Sequence, residues 1–360
     1  MYHKLPSLSR ALTWGSALAS SLALSGCDLV VMKPFGDIAK QQSQLIVTST
    51  LLMLLIIVPV IALTLYFAYR YRQSNTEATY EPDWDHSTRL ELIIWGAPLL
   101  IIIVLGVITW ITTHKLDPYR PLDRVAEGRP VAADVKPLVV QAVAMDWKWL
   151  FIYPEQGIAT VNEMAVPVDR PVRIHMTATS VMNTFYVPAL AGMVYAMPGM
   201  ETQLNAVINK VGVYEGLSAH YSGAGFSDMR FKFHGLSNDD FAKWVESSRS
   251  AGAALSRADY LQLEQPSIKE PVRHYANVEA GLWGAILNRC VDGRKMCADQ
   301  MMAIDAAGGA GKGGVAGTMP SAWRDVEGVR RERKVVAALC TPTNLLGLPS
   351  EVAGAQAPQN

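Results

Sequence analysis

The sequence predicts a membrane-anchored α+β protein: a two-helix transmembrane hairpin, an all-β exported domain and a helical C-terminal extension. Three observations predict it. Two almost continuously apolar runs, residues 45–69 and 90–112, are each long enough to cross a hydrocarbon core as a helix. Over residues 136–235, short alternating runs rich in β-branched residues are separated by Pro, Gly and Asn, the pattern of a sandwich or barrel. Beyond residue 236 the chain opens a capped helix, with Ser237 or Asn238 ahead of Asp239, Asp240 and an apolar stripe.

The whole chain narrows the class of protein before any motif does. Its 360 residues carry 32 basic and 32 acidic side chains, and no basic run interleaves with aromatics, so nucleic acid is not an expected partner. Half the residues are hydrophobic and only 18% are charged, and the apolar ones are concentrated in a few segments, which points to a membrane. Lys4 and Arg10 form a positive n-region ahead of the apolar residues 11–24, so residues 1–26 read as a targeting signal. The signal ends in Leu24-Ser25-Gly26-Cys27, which resembles a bacterial lipobox. That resemblance implies cleavage before Cys27 and a lipid on its thiol, adding to the membrane hold. The other reading is a cleaved secretory signal with an incidental Cys. Residues 27–44 then form an external N-terminal segment.

The first span, 45–69, contains Pro59, which membrane helices tolerate. It ends in an aromatic edge of Tyr66, Tyr69 and Tyr71 with Arg70 and Arg72 beside it. The second, 90–112, has Trp95 near one interface and Trp110 near the other. The loop 70–89 carries Arg70, Arg72 and Arg89, so the positive-inside rule places it in the cytoplasm and both outer ends outside. The exported N-terminus predicts the same orientation independently. Glu91 stands at the cytoplasmic start of the second span. A carboxylate at that depth is a functional candidate; the plainer reading is an acid that favours a helix N-terminus.

In the exported domain, residues 139–143, 172–176, 204–208 and 230–233 read as strands, and His175 reads as a satisfied histidine on one of them. About a hundred residues bury an adequate core for such a domain. Cys290 and Cys297 are close in sequence in an exported segment, so a disulfide closing a short loop is expected; a metal pair is the weaker reading, because no His lies near. Cys340 is left unpaired. Residues 291–360 read as a flexible tail with a Gly/Ala linker at 308–317.

One constellation carries more information than these patterns. Val181, Asn183, Phe185 and Pro188, then Pro198-Gly199, then Gly216, Ser218, His220, Ser222, Gly223 and Met229 form a frame that resembles the copper-binding loops of subunit II of the haem-copper oxidases. In members holding a dinuclear copper centre, the first loop supplies a His. The second supplies two Cys, an acidic carbonyl donor, a second His and a Met. Here those positions are Asn183, Ser218 and Ser222, His220, Phe226 and Met229, so only Met229 matches. Thiolates and imidazoles make such a site select copper, and hydroxyls and a phenyl ring do not replace them. His220 and Met229 alone are too few ligands for a tight site. Asp146-Trp147-Lys148-Trp149 resembles the family's aromatic run, whose first Trp takes electrons from cytochrome c; Trp147 falls on that position, while Lys148 and the flanks depart from an all-aromatic patch. With no copper behind it, Trp147 reads instead as a packing residue. Residues 236–290, with Tyr275 and Trp283, resemble the aromatic-rich extension of quinol-oxidase subunits II.

The resemblance implies subunit II of a cytochrome bo-type ubiquinol oxidase: a cupredoxin-like Greek-key barrel on a helical hairpin in the bacterial inner membrane. It implies no metal in this subunit, with haem b, haem o and copper in subunit I and ubiquinol as substrate of a proton-translocating complex. Partners are then subunits I, III and IV and membrane lipid, with Glu91 at a proton entrance. Menaquinol relatives are only weakly set apart. Two other readings stay open. One is a copper-bearing cytochrome c oxidase subunit II, against which the ligand losses count. The other is a free-standing membrane lipoprotein with a binding or assembly role, against which the paired spans and Glu91 count.

Overall fold

The computed structural model describes residues 29–79 and 81–306. Cys27 and its signal, Cys340 and the Gly/Ala linker lie outside the described residues. Helix α1 (Asp37–Arg70) has 34 residues and rises about 51 Å, against about 30 Å of hydrocarbon. It therefore starts well before the predicted span, inside the segment read as external. The extra turns bury Asp37, Ala39 and Ser43 instead of facing lipid. Helix α2 (Thr88–Lys115) likewise extends past both predicted ends and contains Pro98. Between their ends both helices expose apolar side chains such as Leu51, Leu55, Leu65, Leu92 and Leu100.

The top of α1 is fastened to the β domain by the backbone. Phe35 and Gly36 both donate to the Ala189 carbonyl at 3.1 and 2.9 Å, and Asn209 N–H donates to the Phe35 carbonyl at 2.8 Å. The Phe35 ring lies 5.3 Å from Tyr214. Asp37, almost fully buried, accepts from Arg124 Nε at 2.9 Å and Gln41 Nε2 at 2.7 Å. Arg124 belongs to a short hairpin, β1 (Arg124–Ala126) and β2 (Arg129–Pro130), between α2 and the barrel.

The barrel is two sheets. Its strands are β3 (Leu138–Met145), β4 (Lys148–Tyr153), β5 (Ile158–Val161), β6 (Glu163–Pro167), β7 (Val172–Ala178), β8 (Asn183–Tyr186), β9 (Val194–Ala196), β10 (Thr202–Ala206), β11 (Gly212–Ser218) and β12 (Arg230–Leu236). One sheet has the order β6-β12-β11-β8-β9. The other runs β10-β7-β3-β4-β5 and is then extended by two strands from beyond the barrel, β14 (Arg273–Val278) and β13 (Ala253–Leu255). The strand period of two decides what fills the core. From β4, Trp149, Phe151 and Tyr153 point between the sheets, where they meet Phe185, Phe231 and Phe233. Leu150 and Ile152 point outward, yet they are buried too.

They are covered by the C-terminal extension. It comprises α3 (Asn238–Ala251), β13, α4 (Arg257–Leu263), β14 and α5 (Leu282–Leu287). Leu255, Tyr260, Leu263, Tyr275, Leu282 and Ile286 pack with Val143, Met145, Leu150 and Ile152 into a second core. A strand buried on both faces reads as a continuous apolar run, which is why β4 is Trp-Leu-Phe-Ile-Tyr after Lys148. Ser237 caps α3 and Ser256 forms a capping box on α4 with Asp259. The extension thus carries the expected helices and, in addition, two strands. The stretch read as a flexible tail begins with order: a bond joins Cys290 to Cys297, with a Cα separation of 4.8 Å, and helix α6 (Ala298–Ala306) follows.

Candidate functional site

Asn183 opens β8 and Ser218 closes β11, and these neighbouring strands pair Ser218 with Phe185. Ser218 Oγ donates to Asn183 Oδ1 at 3.1 Å, and Asn183 Nδ2 donates to the Val181 carbonyl at 3.1 Å. Ser218 N–H donates to the Met229 carbonyl at 3.1 Å. All three residues are at most 2% exposed. They make a neutral, hydrogen-bonded knot, with the Met229 side chain joining the barrel core. The side chains of the other three positions go elsewhere, although the His220 carbonyl stays 3.4 Å from Ser218 Oγ. His220 sets its ring edge-on to Tyr195 at 6.1 Å, and Phe226 sets its ring edge-on to Tyr221 at 5.7 Å. The Ser222 carbonyl accepts from Trp147 Nε1 at 3.0 Å.

This donor set does not fit the family's copper centre. The buried polar groups of the knot are an amide and a hydroxyl already satisfied by each other, and neither becomes an anion to balance a cation. Among the described residues, no three His, Cys, Asp or Glu side chains converge as metal ligands.

Trp147 lies half-buried beneath the loop that would wrap a metal. A Cβ added at Gly225 would stand 2.5 Å from its Cδ2, so the loop backbone rests directly on the indole. The next residue points the other way. Lys148 is 1% exposed, and its Nζ donates to the Gln265 carbonyl at 2.7 Å and to Ser267 Oγ at 2.6 Å. Burial pushes this ammonium below the ordinary lysine range, while Glu270 and Asp146 pull it back up. The sequence marked Lys148 only as a departure from an aromatic patch; its hold on the extension is set by residues over a hundred positions away.

Glu91 sits in the first turn of α2, half-exposed, with Oε1 2.8 Å from His86 Nδ1. The other ring nitrogen of His86 faces Thr88 Oγ1 at 3.1 Å. Sequence reasoning missed His86, although a histidine five positions ahead of a span-foot carboxylate is itself a signal. A cleft of about 400 Å³ in the extension is lined by Tyr260, Glu264, Arg289 and Lys295 among others. Burial raises the Glu264 carboxyl above its usual range, against the pull of Lys295.

Comparison with known proteins gives these features a context. A family model described as the cytochrome c oxidase subunit II periplasmic domain matches residues 155–234, and one described as the COX aromatic rich motif matches residues 249–294. The cytochrome bo(3) ubiquinol oxidase subunit 2 of Pseudomonas aeruginosa is 50% identical over 279 residues, covering 78% of this chain and 81% of that one. The ubiquinol oxidase subunit 2 of Acetobacter aceti is 48% identical over 279 residues, covering 78% and 88%. Among solved structures, the periplasmic domain of subunit II of cytochrome oxidase from Bradyrhizobium japonicum is 25% identical. It aligns with a TM-score of 0.31 over 33% of this chain and 96% of that chain. With identity this high over most of both chains, this protein belongs to the ubiquinol oxidase subunit 2 family of the haem-copper oxidases.

Proposed function

We propose that this chain is the metal-free second subunit of a proton-pumping terminal ubiquinol oxidase in a bacterial inner membrane. The observation that carries the reading is the Ser218–Asn183 hydrogen bond at 3.1 Å, which fills the place of a thiolate and an imidazole with a neutral pair. A complex that oxidises quinol within the bilayer needs no water-soluble copper relay, and this barrel end offers too few ligands for one. Haem b, haem o and copper belong to subunit I, and subunits III and IV complete the complex. Cys27 is lipidated, and the N-terminus and barrel lie in the periplasm.

Two surfaces fit that role. Val181, Met193, Tyr195, Met200 and Tyr221 are between 44 and 73% exposed around the degenerate loops. So many large apolar side chains on one end of a barrel read as a seat for another subunit. At the other face of the membrane, Glu91 with His86 is the proton entrance: a carboxylate and an imidazole in contact stand at the foot of the second span. The copper-bearing and free-standing alternatives gain no observation of their own.

One preparation tests the reading. The complex purified through this chain is expected to contain haem and a large multispan subunit, and to oxidise ubiquinol but not cytochrome c. Mass spectrometry of the same sample is expected to find the chain starting at a lipid-bearing Cys27. Cytochrome c oxidised faster than quinol, or a haem-free particle, would overturn the assignment; an unmodified Cys27 would remove the lipid alone.

A further inference from the structure

Helix α5 ends in a Schellman motif with an arginine where glycine is usual. Cys290 N–H donates to the Ala285 carbonyl at 2.9 Å, and Arg289 N–H donates to the Ile286 carbonyl at 3.0 Å. That pair of bonds sets the residue after the C-cap in the left-handed region, and Arg289 sits there with φ 56°. A Cβ is unfavourable in that region, which is why glycine, and after it asparagine, prevails at this position. The side chain brings no local compensation. Among the described residues, the Arg289 guanidinium makes no hydrogen bond and no ion pair. Its stem crosses to the barrel instead. A Cβ added at Gly199 would lie 3.6 Å from Arg289 Cδ, so the arginine runs over the Pro198-Gly199 turn. There it borders the cleft of about 400 Å³, a volume within the usual range for small-molecule sites.

The cleft has two kinds of wall. Leu261 of α4, Ile286 of α5, Met301 of α6 and Val291 ahead of α6 make an apolar side. Arg289, Lys295 and Glu264 bring charge, and Thr179, just past β7, closes the barrel side. The charges do not cancel. Asp292 is taken by Arg294, which donates to its two carboxylate oxygens at 3.0 Å each. Asp146, which acts on Glu264 from outside the lining, is answered by Lys148. Lys295, like Arg289, makes no side-chain hydrogen bond or ion pair among the described residues. Two cations thus face one carboxylate, and at least one positive charge is left over beside the apolar wall.

The wall that carries Lys295 is fixed in advance. The Cys290–Cys297 bond closes its loop, and Ala298 N–H donates to the Asn288 carbonyl at 2.9 Å across the same neck. A preformed site loses less binding energy to ordering itself.

We propose that this cleft is a binding site for a small amphiphilic carboxylate. The Arg289 fork and the Lys295 ammonium hold its head, and the apolar side covers its tail. That role accounts for an arginine at the glycine position of the motif. The inference goes beyond the quinol-oxidase reading and does not rest on it. Hexanoate is the probe, with hexanol and hexylammonium as comparators of equal tail. Hydrogen exchange is read by mass spectrometry on the full chain in lipid nanodiscs at constant pH. Hexanoate is expected to slow exchange saturably over residues 286–306, roughly tenfold at ten times the half-saturating concentration. Hexanol, which enters the bilayer more readily, and hexylammonium, which has the wrong charge, are expected to leave those peptides unchanged. Arg289→Asn removes the fork and keeps a residue that tolerates the left-handed backbone. Its exchange without probe is expected to stay at the wild-type rate, while half-saturation rises roughly tenfold or more. Lys295→Gln is expected to shift half-saturation in the same direction, and it decides alone if Arg289→Asn loosens α5 by itself. No saturable slowing by hexanoate would overturn the site. So would equal slowing by either comparator, or wild-type half-saturation in a folded variant.

Discussion

Replacing Lys148 measures how firmly the extension is seated on the barrel. The ammonium makes two short hydrogen bonds, to the Gln265 carbonyl at 2.7 Å and Ser267 Oγ at 2.6 Å, and a third approach to the Asp146 carbonyl at 3.5 Å. A hydrogen bond from a charged donor contributes about 1.5–3 kcal/mol, so the two short ones give roughly 3–6 kcal/mol gross. Burial of the charge, which lowers its proton affinity, offsets part of that. Lys148→Met keeps the stem in place and is expected to cost about 1–3 kcal/mol. Lys148→Ala also removes three buried methylenes at about 0.8 kcal/mol each, raising the cost to about 3–5 kcal/mol. Denaturant unfolding of the full chain in detergent gives the totals, and hydrogen exchange is expected to place the loss in α4 and the Gln265–Ser267 loop. The pH dependence gives a second reading. The folded chain holds the Lys148 proton less tightly than the unfolded chain. Stability therefore rises as pH climbs from the lowered folded value toward 10.5, and the Met variant lacks that rise. Equal costs for the Ala and Met variants, or an Ala cost below about 1 kcal/mol, would refute the account of Lys148 as a buried clamp.

Two further outcomes follow from other parts of the molecule. A Cβ at Gly216 would lie 2.1 Å from Phe231 Cζ, and that ring is wedged against Phe151 at 4.9 Å and Phe185 at 5.4 Å. Gly216→Ala is expected to cost about 3 kcal/mol in thermal unfolding, the upper range for overpacking, and Phe231→Leu in the same chain to recover most of it. Glu91→Gln is expected to slow quinol oxidation and proton uptake roughly tenfold to a hundredfold with haem content unchanged, and His86→Gln to have a smaller effect in the same direction. Full turnover in Glu91→Gln would take the carboxylate out of the proton path.

What could be read from the sequence is what depends on local pattern. The spans were legible because a membrane helix needs only continuity of apolar residues. The start of α1 was not, because Asp37 is a buried acid stabilised by Arg124, 87 residues away. The barrel strands announced themselves by alternation. β13 and β14 did not: Ala253-Ala254-Leu255 has no strand pattern, and these segments become strands by pairing onto the open edge of β5. The losses of ligand type at Asn183, Ser218, Ser222 and Phe226 were legible residue by residue. That Ser218 and Asn183 would satisfy each other across a separation of 35 was not, because the two strands meet only in the fold. Lys148 misleads for a related reason: lysine is rarely buried, so nothing local marks one that is.

The arrangement around Trp147 holds the frame in shape through protein contacts alone. A loop that wraps an ion is held by its ligand bonds, and losing them would leave residues 219–228 with little to fix them. Here the indole replaces that hold. Trp147 Nε1 binds the Ser222 carbonyl at 3.0 Å from below, and Gly225 lies flat on its ring face. Ala219 N–H donates to the Thr184 carbonyl at 3.2 Å, and the Ser218–Met229 backbone bond closes the loop at its base. Trp147 is thus the floor of the loop. Because Trp147, in the turn between β3 and β4, is followed at once by Lys148 at the head of β4, the same turn fixes the loop on one side and the extension on the other. The strands of the old frame then serve three neighbours at once: the degenerate loops, the aromatic-rich extension and, through Phe35 and Ala189, the head of the first membrane helix. The barrel thus joins the head of the first long helix and the C-terminal extension through one body.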